Sequence, residues 1–427
     1  MSLLARLRAS SAFWFAPFAI ALTLLSYFFG SSGPRPGHLG YAPTLVANAL
    51  GPLYTFAYAT AMALGVWESG RLAKSKIWEL APTRSHYHIA AQALLPVLLL
   101  PWMMLVLPVA GALVETSTPP TLDSVYPLLM AMTVCVAHGV IGFGIGRHVP
   151  HMIAAPVAAV LTFIVVGSTV TTGEWWKRHV SGQYPEIPRF GEAADPATLI
   201  PHILFTAGIA AAVALLWLPV RVLLLRVVLS GALAFASMAG AQHMVRGWGP
   251  IPPMLIGHGT LTCVGDAPKV CMAEGAADNI DSVHRYAESV LQDYRAAGVS
   301  TPEMIIDAST DGRSPQPSTS KVWRAGLSVG ERHGTVRFQV MRSALHYSCG
   351  HPDLATAQTL GLWTAEVTGE EAANRKRMQQ EQELSSITSA QWSRIRGEVD
   401  RIRRAPAQQQ GAWFEQNLTR ACSKGAK

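Results

Sequence analysis

The sequence predicts an α-helical membrane protein, with about seven transmembrane helices followed by a mainly α (α+β) extracytoplasmic domain. Three observations predict this. Hydrophobic residues make up 50% of the 427-residue chain and charged residues only 14%, against a usual charged share of about a quarter. Apolar runs of about 20 residues, long enough to cross a bilayer, recur up to residue 242. Four of the five cysteines come after the last run.

Residues 1–10 hold Arg6 and Arg8 and no acid. The first run, 11–30, is read as a retained span. Its length exceeds the roughly 7–15-residue core of a signal peptide, and no clear small-x-small cleavage site follows. A Gly/Pro-rich loop leads to the second run, about 44–66. The third, about 89–113, contains Pro96, Pro101 and Pro108, which a helix bundle tolerates as kinks. The fourth, about 125–145, offers Gly139, Gly142 and Gly146 as small faces for close helix approach. The fifth is about 152–170. A longer loop, 174–196, places Trp175 and Trp176 where a membrane interface favours them. The sixth and seventh runs are about 198–218 and 223–241. Membrane domain 1–242 and outer domain 243–427 follow from this division.

Orientation comes from the cations. Segments assigned to the inside hold nine: Arg6, Arg8, Arg71, Lys74, Lys76, Arg84, Arg147, Arg221 and Arg226. Short outer loops hold four: Arg35, Lys177, Arg178 and Arg189. Cations stay on the cytoplasmic side, so the N-terminus is inside and seven spans put the tail outside an inner, multi-pass membrane protein. A single span across 199–241 would reverse the tail. The cysteines agree with seven. Cys263, Cys271, Cys349 and Cys422 form an even set in the tail, and disulfides persist outside the cytoplasm. Four cysteines allow three pairings. Cys263–Cys271 is favoured, because TLTCVGDAPKVCMAEG reads as two short strands about a GDAP turn, which leaves Cys349–Cys422. Cys135, inside a span, reads as a small apolar core residue.

The tail has the make-up of a folded domain. Residues 276–297 read as a helix with Val283, Tyr286, Val290, Leu291 and Tyr294 inward and Gly298 as its stop. Residues 304–307 read as a strand and 311–320 as a Ser/Pro-rich loop. Residues 335–341 alternate Val336, Phe338 and Val340 and read as a half-buried strand. Helices are expected at about 354–368, 370–383, 389–404 and 406–422, the third placing Trp392, Ile395, Val399 and Ile402 on one face.

The stretch 67–88 carries Arg71, Lys74, Lys76 and Arg84 against Glu68 and Glu79. Leu72, Ile77, Trp78 and Leu80 punctuate these charges as in an amphipathic helix at lipid headgroups, with Pro82 as its stop. Such a helix could seat a cytoplasmic partner; the alternative is a solvated basic loop.

Chemistry is sparse. There is no GxxxxGK[ST] phosphate loop, and GFGIG at 142–146 lies inside a span without dinucleotide-loop spacing. Asp281, His284 and Glu288 could share a helix face and bind a divalent metal, or form a solvated polar face; no HExxH or Cys/His ligand set accompanies them. His346 and His351 flank Cys349, but a disulfide-bonded cysteine has no thiolate to offer. There is no GxSxG elbow. His138 lies within a span, where an ionisable group is a functional candidate or a hydrogen-bonded core residue. Asn417-Leu418-Thr419 fits a glycosylation sequon. The net charge of +7 is assigned to loop topology and anionic lipid rather than nucleic acid. No catalytic residue, metal site or cofactor is assigned.

The segment VWESGRLAKSKIWELAPTRSHYHIAAQALLP resembles the region after the second span of bacterial membrane proteins related to ABC (ATP-binding cassette) type-two exporter permeases. The turn GRHVPHMIAAPVAAVLTF is similar to their glycine-to-proline inner turn, and CVGDAPKVCMAE and WFEQNLTRAC resemble their cysteine-containing outer domain. The likeness spans most of the chain, and none of its motifs is catalytic. It implies a permease-like subunit working with a separate ATP-binding subunit through Arg71, Lys74, Lys76 and Trp78. A homodimer or hetero-oligomer is implied as well. Seven spans, where six are common, and the large outer domain depart from that pattern. The other function class is a membrane-anchored extracytoplasmic binding or sensing protein without transport.

Overall fold

Long apolar segments remove their own backbone polar groups from lipid only by forming helices, and the first part of the chain does so throughout. The structure, a computed structural model, describes residues 10–77, 85–218, 222–380 and 388–424. It divides into two units, Met1–His258 and Gly259–Lys427.

In the first unit, α1 spans Ser11–Phe28 and α2 Ala42–Leu50. A 3-10 turn at Gly51–Leu53 leads into α3, Tyr54–Lys74. Then come α4 (His86–Glu115), α5 (Leu122–Gly146), α6 (His151–Ser168), the short α7 (Trp175–Arg178), strand β1 (Glu192–Ala194), α8 (Pro196–Leu215), α9 (Leu223–Met244) and strand β2 (Met254–Ile256). Among the described residues, seven helical segments are long and apolar enough to cross a membrane, counting Ala42–Lys74 as one. α4 runs unbroken through Pro96, Pro101 and Pro108. The centre of the unit is α3, whose Tyr54, Tyr58, Leu64 and Val66 are buried. α1, α6 and α9 instead turn large apolar side chains outward, among them Trp14, Phe28, Met152, Leu224 and Phe235. Such faces suit lipid.

Glycine governs the contact of α3 with α5. A Cβ on Gly142 would strike the carbonyl oxygen of Met62, one on Gly146 that of Val66, and one on Gly65 that of Gly139. Small residues allow two backbones this close, and the gain is dispersion contact along the whole crossing. The GFGIG run therefore packs helices.

Two expectations change. The second span does not end near residue 66. α3 continues to Lys74 and stops at a turn, with Lys76 at φ +50°. Arg71 and Lys74 thus belong to the end of a helix long and apolar enough to cross a membrane, and Glu68 and Arg71 pair within it. Trp78, Leu80, Pro82 and Arg84 lie outside the described residues, as do Arg6, Arg8 and Arg221. The domain boundary also moves, from 242 to His258. Val245 is buried with Val180 and Ala241, and β2 pairs antiparallel with β1, Leu255 opposite Ala193. Strands of three residues give too short a pattern to read from sequence.

The second unit begins with β3 (Leu261–Val264) and β4 (Lys269–Ala273). There follow α10 (Ile280–Ala296), β5 (Met304–Asp307), β6 (Val322–Ala325), α11 (Leu327–His333) and α12 (Val336–Ser343). The chain closes on α13 (Leu354–Thr368), α14 (Glu371–Gln380), α15 (Ser389–Arg403) and α16 (Ala407–Lys424). The sheet order is β3-β4-β5-β6. β3 and β4 are antiparallel, and β4–β5 and β5–β6 are parallel, with α10 as the crossover that a parallel pair needs. Leu291, Tyr294, Trp323, Trp363 and Phe414 fill the core.

Cys263 stands opposite Cys271 in the hairpin and bonds to it. Cys349 bonds to Cys422, fastening the segment before α13 to α16. Residues 336–343 are helical and not a strand. Val336 and Val340 meet the core at i, i+4, Phe338 and Met341 at i, i+3, and the Tyr294 hydroxyl donates to the Met341 carbonyl at 2.9 Å. A seven-residue window fitted both periods, and the core selected the helical one. β6, four residues long after a Ser/Pro-rich loop, carried no readable signal.

Candidate functional site

The basic end of α3 is built around a buried carboxylate. Glu68 is 1% exposed. Its Oε2 meets Arg71 Nη2 at 2.6 Å. Its Oε1 accepts from the backbone N–H of Ser11 at 2.7 Å and from the Ser11 hydroxyl at 2.8 Å. A carboxylate at the first turn of α1 is favoured by the free N–H groups there, and charge-assisted bonds are stronger than neutral ones. Glu68 thereby ties α1 to α3 and holds Arg71 against the helix. Lys74 and Lys76 are exposed and have no ion pair among the described residues. The first residue of α6 packs on α3 before its basic end: a Cβ on Gly70 would strike the His151 ring, which also meets Trp67 edge-on at 5.0 Å. Of the basic residues expected to act together, Arg71 is latched to Glu68, Lys74 and Lys76 are exposed, and Trp78 lies outside the described residues. Glu68 was counted by sequence only as an opposing charge; its burial follows from the fold.

A second polar cluster lies inside the bundle. The Tyr58 hydroxyl donates to the carbonyl of Gly182, and the Gly182 N–H donates to His202 Nδ1 at 3.1 Å. His202 is therefore an acceptor at Nδ1. His138 stacks on Tyr58 with centroids 5.0 Å apart and planes 3° from parallel, and its Nδ1 bonds the Val134 carbonyl at 3.0 Å. Gln183 Nε2 donates to the Val166 carbonyl. Gly182 has φ +84° and its Cβ position is occupied by Val134 and Tyr58, so this place requires glycine. The histidines and Tyr58 hold the 180–184 segment in the bundle. His138 is buried and hydrogen-bonded, as in the second of the two sequence readings. His202 was legible as an ionisable residue in an apolar run but was not singled out. His179, buried after α7, donates through Nε2 to the Gly249 carbonyl at 2.8 Å. Burial, which outweighs that bond, lowers its imidazole below the ordinary value.

In the second unit, Asp281, His284 and Glu288 do not converge. His284 Nε2 faces the Pro268 carbonyl at 3.3 Å, and Glu288 pairs with Arg295 at 2.8 Å. Among the described residues, no group of three or more His, Cys, Asp or Glu is placed to hold a metal ion. Cys349 is disulfide-bonded, so His346 and His351 have no thiol to activate. Asn417 is buried and donates to the Trp413 carbonyl at 2.8 Å, which leaves the sequon closed to a glycan. Burial, assisted by nearby Asp400, raises the Glu366 carboxyl above its usual range, with Arg403 opposing.

Residues 270–423, which run from β4 to α16, match a family described as a domain of unknown function (DUF7224). No curated protein and no solved structure matches the chain.

Proposed function

We propose that the chain is the membrane subunit of an ABC-type transporter, working with a separate ATP-binding subunit that docks at the basic end of α3. One observation carries this reading. α3 is the buried centre of the bundle and ends in Lys74 and Lys76, which have no ion pair among the described residues, while the Glu68–Arg71–Ser11 latch stiffens that end and joins it to α1. A push at the lysines is passed to the centre of the bundle and to α1 together. The basic end lies in the cytoplasm, where short basic segments are retained, and the disulfide unit lies outside, where disulfides persist.

A second reading is favoured by the second unit itself, which has its own core and two disulfides: an anchored binding or sensing module whose bundle transports nothing. Purification of the tagged chain from its native membrane in mild detergent separates the two. The transport reading expects a stoichiometric ATPase that is lost on Lys74→Glu/Lys76→Glu. Arg71 is left unchanged, because Arg71→Glu would set a second carboxylate beside Glu68. A preparation free of ATPase, with an envelope protein held by the second unit, overturns it in favour of the sensing module.

A further inference from the structure

α15 presents a row of arginines that no carboxylate among the described residues pairs with. Arg394, Arg401 and Arg404 recur at i, i+7 and i+10, so they share one side of the helix and its C-terminal cap, over about 15 Å at 1.5 Å per residue. All three are exposed, and none has an ion pair among the described residues; Arg394 Nε reaches only the carbonyl of Ala390 in its own helix, at 3.5 Å. Of the other charged residues of the helix, Arg396, Arg403 and Glu398 are engaged elsewhere, and exposed Asp400 lies near the Glu366 carboxyl. Arg396 lies over the Trp392 ring at 6.0 Å, Arg403 reaches the Glu366 carbonyl at 3.5 Å, and Glu398 accepts from Trp413 Nε1 at 3.2 Å. The helix is held rigid: Thr388 and Gln391 form a capping box, and Ile395, Val399 and Ile402 are buried beneath.

The row borders a bare floor. Ala390, Ser393 and Gly397 are exposed on the same side, and a Cβ on Gly397 would meet nothing. Glycine inside an exposed helix is unfavourable relative to alanine, and nothing among the described residues requires it there. A floor without side chains lets a second backbone lie close, as helices do at 8–10 Å between axes. A lipid surface or a polyphosphate needs no such floor. The cations are also all arginine, whose planar fork pairs two-pronged with carboxylates.

We infer that this face of α15 docks an acidic helical segment of a partner protein, its backbone over Gly397 and its carboxylates on Arg394, Arg401 and Arg404. The inference stands apart from the transport reading. Its test uses the full chain in detergent and a labelled, alanine-rich helical peptide with glutamates at i, i+7 and i+10, read by fluorescence anisotropy. Binding is expected to weaken about tenfold on Arg394→Gln/Arg401→Gln/Arg404→Gln, and to weaken on Gly397→Leu, which leaves every charge in place. Added salt weakens it, and a glutamine version of the peptide does not bind. Both variants change only exposed positions, so an unaltered thermal transition confirms that each is folded. Equal binding by the triple variant, equal binding by Gly397→Leu, or binding of polyphosphate or anionic vesicles without the peptide overturns the inference.

Discussion

Cys349→Ser is expected to destabilise the 259–427 unit by about 4 kcal/mol, and Cys263→Ser by about 2.5 kcal/mol. The difference follows from chain separation. The Cys349–Cys422 bridge closes a loop of 73 residues and the Cys263–Cys271 bridge one of 8, and a longer loop removes more freedom from the unfolded chain. The larger loss is a big fraction of the 5–15 kcal/mol by which domains are usually stable. It also falls where packing depends on it. α16 sets Trp413 and Phe414 against Trp363 of α13, with ring centroids 5.6 and 5.3 Å apart, and the bridge anchors the end of α16. Heating the full chain in detergent and following its tryptophans gives the measurement. The expected drop is on the order of 10 °C for Cys349→Ser and less for Cys263→Ser. Equal drops, or a larger one for Cys263→Ser, would contradict the loop argument.

Gly142→Leu should prevent the membrane unit from folding. A Cβ at Gly142 meets the Met62 carbonyl, which is helix backbone in α3 and cannot swing aside. The two helices would have to separate along the whole crossing, exposing contacts at Gly65 and Gly146 together. Overpacked cores cost about 1–3 kcal/mol when side chains can give, and here they cannot. Gly231→Leu on α9 is the control, because a Cβ there meets nothing. Size-exclusion profiles in detergent are expected to show aggregation for Gly142→Leu and a monodisperse peak for Gly231→Leu. A monodisperse Gly142→Leu protein would refute the close crossing.

Some of this was legible in the chain. Apolar length and composition sufficed to place seven helices long and apolar enough to cross a membrane, because a bilayer imposes one element and one length. Gly139, Gly142 and Gly146 at helical spacing marked the face that meets α3. The hairpin around Gly265–Pro268 marked Cys263–Cys271, and elimination left the other pair. The misses share a cause: they depend on partners distant in sequence. The Glu68 latch needs Ser11, and the Gly182 bridge needs Tyr58 and His202. The helix at 336–343 was chosen by Tyr294 and the core around it, against a local pattern that also allowed a strand. The end of α3 was misread for the same reason: a charge in a span seems costly until its buried partner is known.

Single-cysteine labelling across the membrane of intact cells is the most direct test that the basic end of α3 and the disulfide unit lie on opposite faces. Lys76→Cys and Ser320→Cys place thiols at exposed positions in the first and second units. The native cysteines interfere little, since four are disulfide-bonded and Cys135 is buried. A membrane-impermeant maleimide is expected to label Ser320→Cys in intact cells and Lys76→Cys only after lysis. Labelling of both from the same side would contradict the seven-span arrangement, and the placing of an ATP-driven partner at α3 with it.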